Sequence, residues 1–156
     1  MHVPTVDGLA CNLYCTERLI CPLMDARRNQ VYTGIYEFRE NRLEVLLPQT
    51  VTDIREIAEK LCKLNREVIF LGDGVPVYRE PLTERLMAGQ RFSFAPAHLN
   101  KQRAGAVAVL ALRYLREGKT EKAFEHRPEY LRLPQAERER AEKERAKQEN
   151  GTDGRS

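Results

Sequence analysis

The stretch LICPLMDARRNQVYTGIYEFRENRLEVLLPQTV, residues 19–51, decides the fold. Leu19 to Met24 is an apolar strand, and Pro22 within it predicts an edge position or a bulge, because proline gives the ladder no N–H. Asp25 to Gln30 is a polar turn. Val31 to Phe38 is a second strand, rich in β-branched and aromatic residues. Alternation sends Val31, Thr33 and Ile35 to one face and Tyr32, Tyr36 and Phe38 to the other, so both faces need cover. Arg39 to Arg42 is a turn and Leu43 to Val51 a third strand, which completes an antiparallel meander.

Outward from the meander the period changes. Ile54, Ile57, Ala58, Leu61 and Leu64 form a helical stripe with Thr52 as its cap. Val68 to Leu71 is a continuous apolar run closed by Gly72-Asp73-Gly74, the pattern of a buried parallel strand. A helix follows through Arg85, broken or restarted at Pro81. Asn100 is placed to cap a long helix from Lys101 to Glu117, with Gly118 ending it. Its expected stripe is Ala104, Val107, Ala108, Ala111, Tyr114 and Leu115, and the small residues Ala104, Gly105 and Ala108 suit a close neighbour. On the N-terminal side, residues 3–15 read as a short helix capped by Thr5, with Leu9 and Leu13 on one face. The chain is expected to divide into a lobe over residues 1–133 and a tail over 134–156. Residues 126–133 look extended. Gln135 to Glu149 has as many basic as acidic residues and no apolar stripe, which predicts a solvated helix or frayed tail, with disorder from Asn150.

The sum is α/β: a mixed sheet holding a three-strand antiparallel meander and one or two parallel strands, with flanking helices. Strands followed by a βα unit is the order of an RNase H-like lobe, the unit duplicated in actin- and Hsp70-like ATPases.

Bulk properties exclude several classes. A length of 156 residues holds one core, and a net charge of +3 gives no basic footprint for nucleic acid. No apolar run reaches a membrane span, and no secretory signal opens the chain. Cys11, Cys15, Cys21 and Cys62 form no C-x-x-C pair, which predicts reduced, packed thiols in a cytoplasmic protein rather than a zinc site.

Three motifs together resemble the TsaB (YeaZ) family of tRNA threonylcarbamoyladenosine biosynthesis proteins. They are Pro22-Leu-Met-Asp-Ala-Arg-Arg-Asn-Gln-Val-Tyr32, Phe70-Leu-Gly-Asp-Gly74, and Pro128-Glu-Tyr-Leu-Arg132 with Gln135-Ala-Glu-Arg138 behind it. They occur in family order. The family's first lobe, with its Asp-Thr-Ser strand and phosphate-loop-like turn, has no counterpart, and residues 3–15 resemble the segment joining the lobes. The resemblance therefore implies the C-terminal lobe of a two-lobed protein. It implies a chemically silent subunit that supports the catalytic TsaD, with TsaE, in modifying adenosine 37 of tRNA. No cofactor is expected on the lobe. ATP and metal would belong to the partner subunits, tRNA would be met through the complex, and the lobe in isolation is expected to form a homodimer near residues 3–24.

Two segments could carry contacts. Asp25, Arg27 and Arg28 form either an anion, tRNA-phosphate or protein contact, or an internal Asp–Arg pair that fixes the hairpin. Gly72, Asp73 and Gly74 form either a backbone turn approached by a ligand, or a strand-to-helix turn in which Asp73 caps the next helix. A different class stays open. Asp25, Asp73 and Asp53 near strand ends would suit a small metal-dependent RNase H-like nuclease or a nucleotide-binding enzyme. A peptidase is not expected, because His2, His98 and His126 are too scattered to make a His-x-x-x-His pair. Tyr32, Tyr36 and Phe38 could stack bases but read better as a face packed under a helix.

Overall fold

Pro22 lies in the middle of the sheet. The computed structural model, which describes residues 2–119, orders five strands β3-β2-β1-β4-β5. They are β1 (Leu19–Asp25), β2 (Gln30–Arg39), β3 (Arg42–Asp53), β4 (Val68–Leu71) and β5 (Phe92–Phe94). β1, β2 and β3 form the antiparallel meander, while β4 and then β5 run parallel to β1. The expected edge position of Pro22 is therefore corrected. The β1–β2 ladder has no paired residues around Pro22, between Ile20↔Tyr36 and Leu23↔Thr33, although its register is unchanged, and the β2–β3 register shifts between Thr33 and Ile35. The proline that does occupy an edge strand is Pro48, in β3.

The hairpin turns follow from local backbone chemistry. Arg39 pairs directly with Arg42 across Glu40 and Asn41, both at positive φ, as a two-residue primed turn requires. The β1–β2 connection is similar. The Gln30 N–H donates to the Arg27 carbonyl at 3.0 Å, and Arg27, Arg28 and Asn29 have φ of 62°, 53° and 59°.

The sheet has one core on each side, as the alternation of β2 requires. On one side Leu19, Cys21, Leu23, Val31 and Ile35 meet α2 (Ile54–Leu64), α3 (Val75–Pro81) and the π-helical turn Leu82–Leu86 that starts after Pro81. On the other, Ile20, Tyr36, Leu43, Ile69 and Leu71 meet α1 (Thr5–Ala10) and α4 (Ala104–Arg116). Tyr36 is fully buried, and Tyr32 and Phe38 pack beside it, so this aromatic face is covered rather than free for bases.

Helix ends depart from expectation in three places. Asp53, not Thr52, caps α2: its carboxylate accepts from the Arg55 N–H at 2.8 Å, while the Thr52 hydroxyl bonds Glu56. Thr5 opens α1 without a side-chain cap, and α1 gives way to a 3-10 turn over Cys11–Leu13. Asn100 does not cap α4, which begins at Ala104 after Arg103 with no side-chain cap. The expected α4 stripe is also displaced: Leu110 is the buried residue, with Val107 and Tyr114 beside it, while Ala104, Ala108 and Leu115 are exposed. The expectations for residues 126–156, the tail and the Pro128–Arg132 motif among them, lie outside the described residues.

Under α1 and α4 sits a buried carboxylate that the sequence did not flag. Asp7, 6% exposed, accepts from the Tyr36 hydroxyl at 2.6 Å and from the Tyr114 hydroxyl at 3.0 Å. One side chain thereby ties α1, β2 and α4 together. Burial, reinforced by Asp7, holds both phenols well above their usual range, and burial pushes the nearby Cys11 thiol up to about 11.

Candidate functional site

β1 and β4 run parallel and finish side by side, so the residues just past them meet at one end of the sheet. Asp25 closes β1. Its Oδ1 accepts from the Arg27 backbone N–H at 2.9 Å and from the Tyr78 hydroxyl at 3.1 Å. The expected Asp–Arg pair therefore runs to the backbone of Arg27 and not to its guanidinium. Among the described residues neither Arg27 nor Arg28 makes an ion pair, and both are exposed. Tyr78, on α3, is the contact that sequence reasoning missed. It also donates to the Gln30 carbonyl at 3.3 Å and so pins the hairpin from both sides. Burial, then the bond to Asp25, pushes its phenol up to about 12.

The Gly72-Asp73-Gly74 turn is held by β1. Gly72 has φ +117°, and a Cβ there would lie 2.1 Å from the Leu23 carbonyl oxygen, so only glycine fits. The Gly74 N–H donates to that same oxygen at 2.9 Å, and the Gly72 N–H donates to Oδ1 of Asn100 at 3.1 Å. This is the work Asn100 does in place of capping α4. Asp73 does not cap α3, whose first residues have no side-chain cap. Its exposed carboxylate faces a shallow hollow shared with Leu9, Met24 and Gln102.

Asp25 and Asp73 consequently serve opposite sides of the sheet. Asp25 bonds Tyr78 in the layer of α2 and α3; Asp73 faces the layer of α1 and α4. The third carboxylate, Asp53, is committed to the α2 N-terminus and to a salt bridge with Arg55 at 2.9 Å, a bond that holds it below the usual carboxylate range. Among the described residues no group of three or more His, Cys, Asp and Glu is placed to share a metal ion. Beside Tyr78 lies a cleft of about 380 Å³, lined by Asn29, Ile54, Arg55, Val77, Arg85 and Leu86 among others. No helix among the described residues is long and apolar enough to cross a membrane.

Comparison with known proteins fits this geometry to a family. The family described as "TsaD: tRNA N6-adenosine threonylcarbamoyltransferase" matches residues 1–140. The chain is 31% identical over 138 residues to the tRNA threonylcarbamoyladenosine biosynthesis protein TsaB of Bacillus subtilis (strain 168). The chain belongs to this TsaD-type family, and its likeness is to TsaB (YeaZ) proteins. That match covers 86% of this chain and 56% of the Bacillus protein, so the chain spans little more than half the length of its TsaB relative. Two solved YeaZ structures share the fold. One is a Pseudomonas aeruginosa protein described as similar to peptidase YEAZ, with TM-score 0.63, 20% identity, and coverage of 83% of this chain and 57% of that one. The other is YeaZ from Pseudomonas aeruginosa, with TM-score 0.62, 19% identity, and coverage of 82% and 58%. The five-stranded mixed sheet with helices on both faces is thus the RNase H-like α/β fold that these structures share.

Proposed function

We propose that the chain is a non-catalytic partner subunit of the tRNA N6-threonylcarbamoyladenosine machinery, working in the cytoplasm by binding TsaD in concert with TsaE. The observation that carries this reading is the Gly72–Gly74 turn. In an ATPase lobe such a turn must leave space for phosphate; here the turn lies against the Leu23 carbonyl, and the N–H groups of Gly72 and Gly74 are given to Asn100 and Leu23. Asp25 is likewise occupied by Tyr78 and the Arg27 N–H. Arg27 and Arg28 are outward at this end, beside the exposed Asn29 and Asp73, and their guanidiniums suit a carboxylate-bearing protein surface or phosphate. ATP and metal would then be held by TsaD and TsaE, and tRNA would be reached through the complex.

A pull-down of TsaD with this chain tests the proposal. Retention, weakened by Arg27→Glu with Arg28→Glu, is the expected result. No retention, with the chain folded, would overturn it. The competing reading is a metal-dependent nuclease or nucleotide-binding enzyme. It requires calorimetric binding of magnesium, manganese or ATP that disappears in Asp25→Ala and Asp73→Ala. The placement of those two carboxylates on opposite sides of the sheet argues for no such loss. Self-association of the isolated lobe near residues 3–24 is a further expectation; there Val6, Leu9, Ala10 and Leu13 are buried and β1 is the central strand, so the contact would fall on exposed residues such as Tyr14.

A further inference from the structure

The cleft beside Tyr78 is built from four separate pieces of chain. The hairpin tip supplies Asn29, the start of α2 supplies Ile54 and Arg55, α3 supplies Val77, and the turn after α3 supplies Arg85 and Leu86. Its volume of about 380 Å³ lies at the small end of the range, about 300–1,000 Å³, of small-molecule sites. The apolar lining comes from three elements and is concave. A convex helix face accepts any apolar cover, whereas a hollow of this size selects by volume and by the polar groups that line it.

Those polar groups have one charge. The Tyr78 hydroxyl is taken by Asp25 and the Gln30 carbonyl, and the Asn29 carbonyl accepts from the Ile54 N–H at 2.9 Å. Arg55 bonds Asp53 through Nε and Nη2, each at 2.9 Å, which fixes its guanidinium and leaves Nη1 without a partner among the described residues. Arg85 is exposed and makes no ion pair among the described residues, so it is the uncompensated charge. No carboxylate lines the cleft. Of the acids near Arg55, Asp53 is bonded by Arg55 itself, Glu56 by the Thr52 hydroxyl, and Glu59 lines a neighbouring hollow. Arg85 also sits on a π-helical turn, in which the Met87 N–H reaches back to the Leu82 carbonyl at 2.9 Å. Such turns are rare and concentrate at functional sites.

We propose that this cleft binds a small apolar carboxylic acid, its ring or branched chain against Ile54, Val77 and Leu86 and its carboxylate between Arg85 and Nη1 of Arg55. A guanidinium fork matches a carboxylate in shape as well as charge, and the Asn29 amide is a further donor. With no acid in the lining, binding needs no metal ion. A free acid and the C-terminal residue of a peptide present the same group. The inference goes beyond the proposed subunit role and does not rest on it.

The test titrates the 156-residue chain with naphthoate and with its neutral counterpart naphthamide, read by heteronuclear NMR. Saturable shifts centred on the amides of Asn29, Arg55, Val77 and Leu86 are expected, with the acid binding about tenfold or more tightly than the amide. Arg85→Glu should weaken the acid about tenfold or more, and Arg85→Lys should weaken it less. Leu112→Glu, on the exposed face of α4, should leave binding unchanged. Both positions are exposed, and unchanged circular dichroism would verify folding. N-acetylphenylalanine against a longer peptide acid ending in phenylalanine separates the two sources: equal affinity gives the cleft to a free acid, and a tighter peptide gives it to a chain end. No saturable binding, equal binding of acid and amide, or an acid affinity untouched by Arg85→Glu overturns the proposal. The chain is titrated without TsaD, so failure here leaves the subunit role standing.

Discussion

Helices α2 and α4 cover opposite faces of one sheet and are finished differently. α2 buries Ile54, Ile57, Ala58 and Leu61 and turns Arg55, Glu56, Glu59 and Lys60 to water, with Asp53 closing its start. α4 buries Leu110, turns Val109, Leu112 and Leu115 outward and starts without a side-chain cap. One helix is complete as a surface element. The other leaves Val109, Leu112 and Leu115 exposed on the side away from the sheet. An apolar outward stripe adds nothing to the stability of the chain alone, so a helix that carries one is telling of association rather than of folding.

Several measurements break or sharpen this contrast. Leu61→Ala on the finished helix should cost about 2–5 kcal/mol in urea unfolding, through lost transfer energy and an unfilled cavity. A value near zero would mean that α2 is not the organising cover of its face. Asp7→Ala should cost about 2–3 kcal/mol, because the fully buried Tyr36 hydroxyl loses its acceptor while Tyr114 loses its tie to α1. Equal stability of the variant and the parent would show that α4 is held by its apolar contacts alone.

Alkaline pH probes both faces at once. Cys21, on the α2 side, is pushed up to about 12 by burial, Cys11 on the α4 side to about 11, and Tyr36 is raised further. Groups whose folded values are raised give up their protons first in the unfolded chain. Their contribution is complete below about pH 9, the unfolded thiol range, and is lost as pH climbs toward the folded values. The melting temperature should hold steady to about pH 9 and fall above it; a rise there would reverse the sign of the argument. Smaller is the exchange of caps. Asp53→Ala should lose about 1 kcal/mol, while Arg103→Ser should gain a fraction of that by supplying the acceptor α4 lacks. Smallest of all, Leu112→Ala should change the stability of the isolated chain by less than about 0.5 kcal/mol.

The meander, the change of period at Ile54 and the parallel strand at Val68 were legible because each is a local pattern. The errors arose where a residue's role depends on a distant partner. Pro22 reads as an edge or a bulge because its lost donor is visible in sequence, whereas its place on the central strand, beside an unpaired step of the ladder, is not. Asn100 looked like a cap, but its acceptor serves Gly72, 28 residues away. The expected α4 stripe includes Leu115 and leaves out Leu110, the reverse of what is found, since a helix apolar on two sides does not say which side faces in. β5, three residues long, is too short for any periodicity to register. At the site, Asp25 and the glycine turn were placed correctly at strand ends. That Asp25 and Asp73 face opposite layers, and that Tyr78 bonds Asp25, depended on how β1, β4 and α3 pack, which no spacing encodes.

The hairpin tip has its own thermodynamic signature. Three successive left-handed residues are unusual for side chains with a Cβ, and a left-handed arginine is held at roughly 1–2 kcal/mol above the alternative. Arg28→Gly should therefore make the chain melt higher. A hardier protein obtained by deleting a guanidinium would mean that selection, not folding, keeps arginine at the tip.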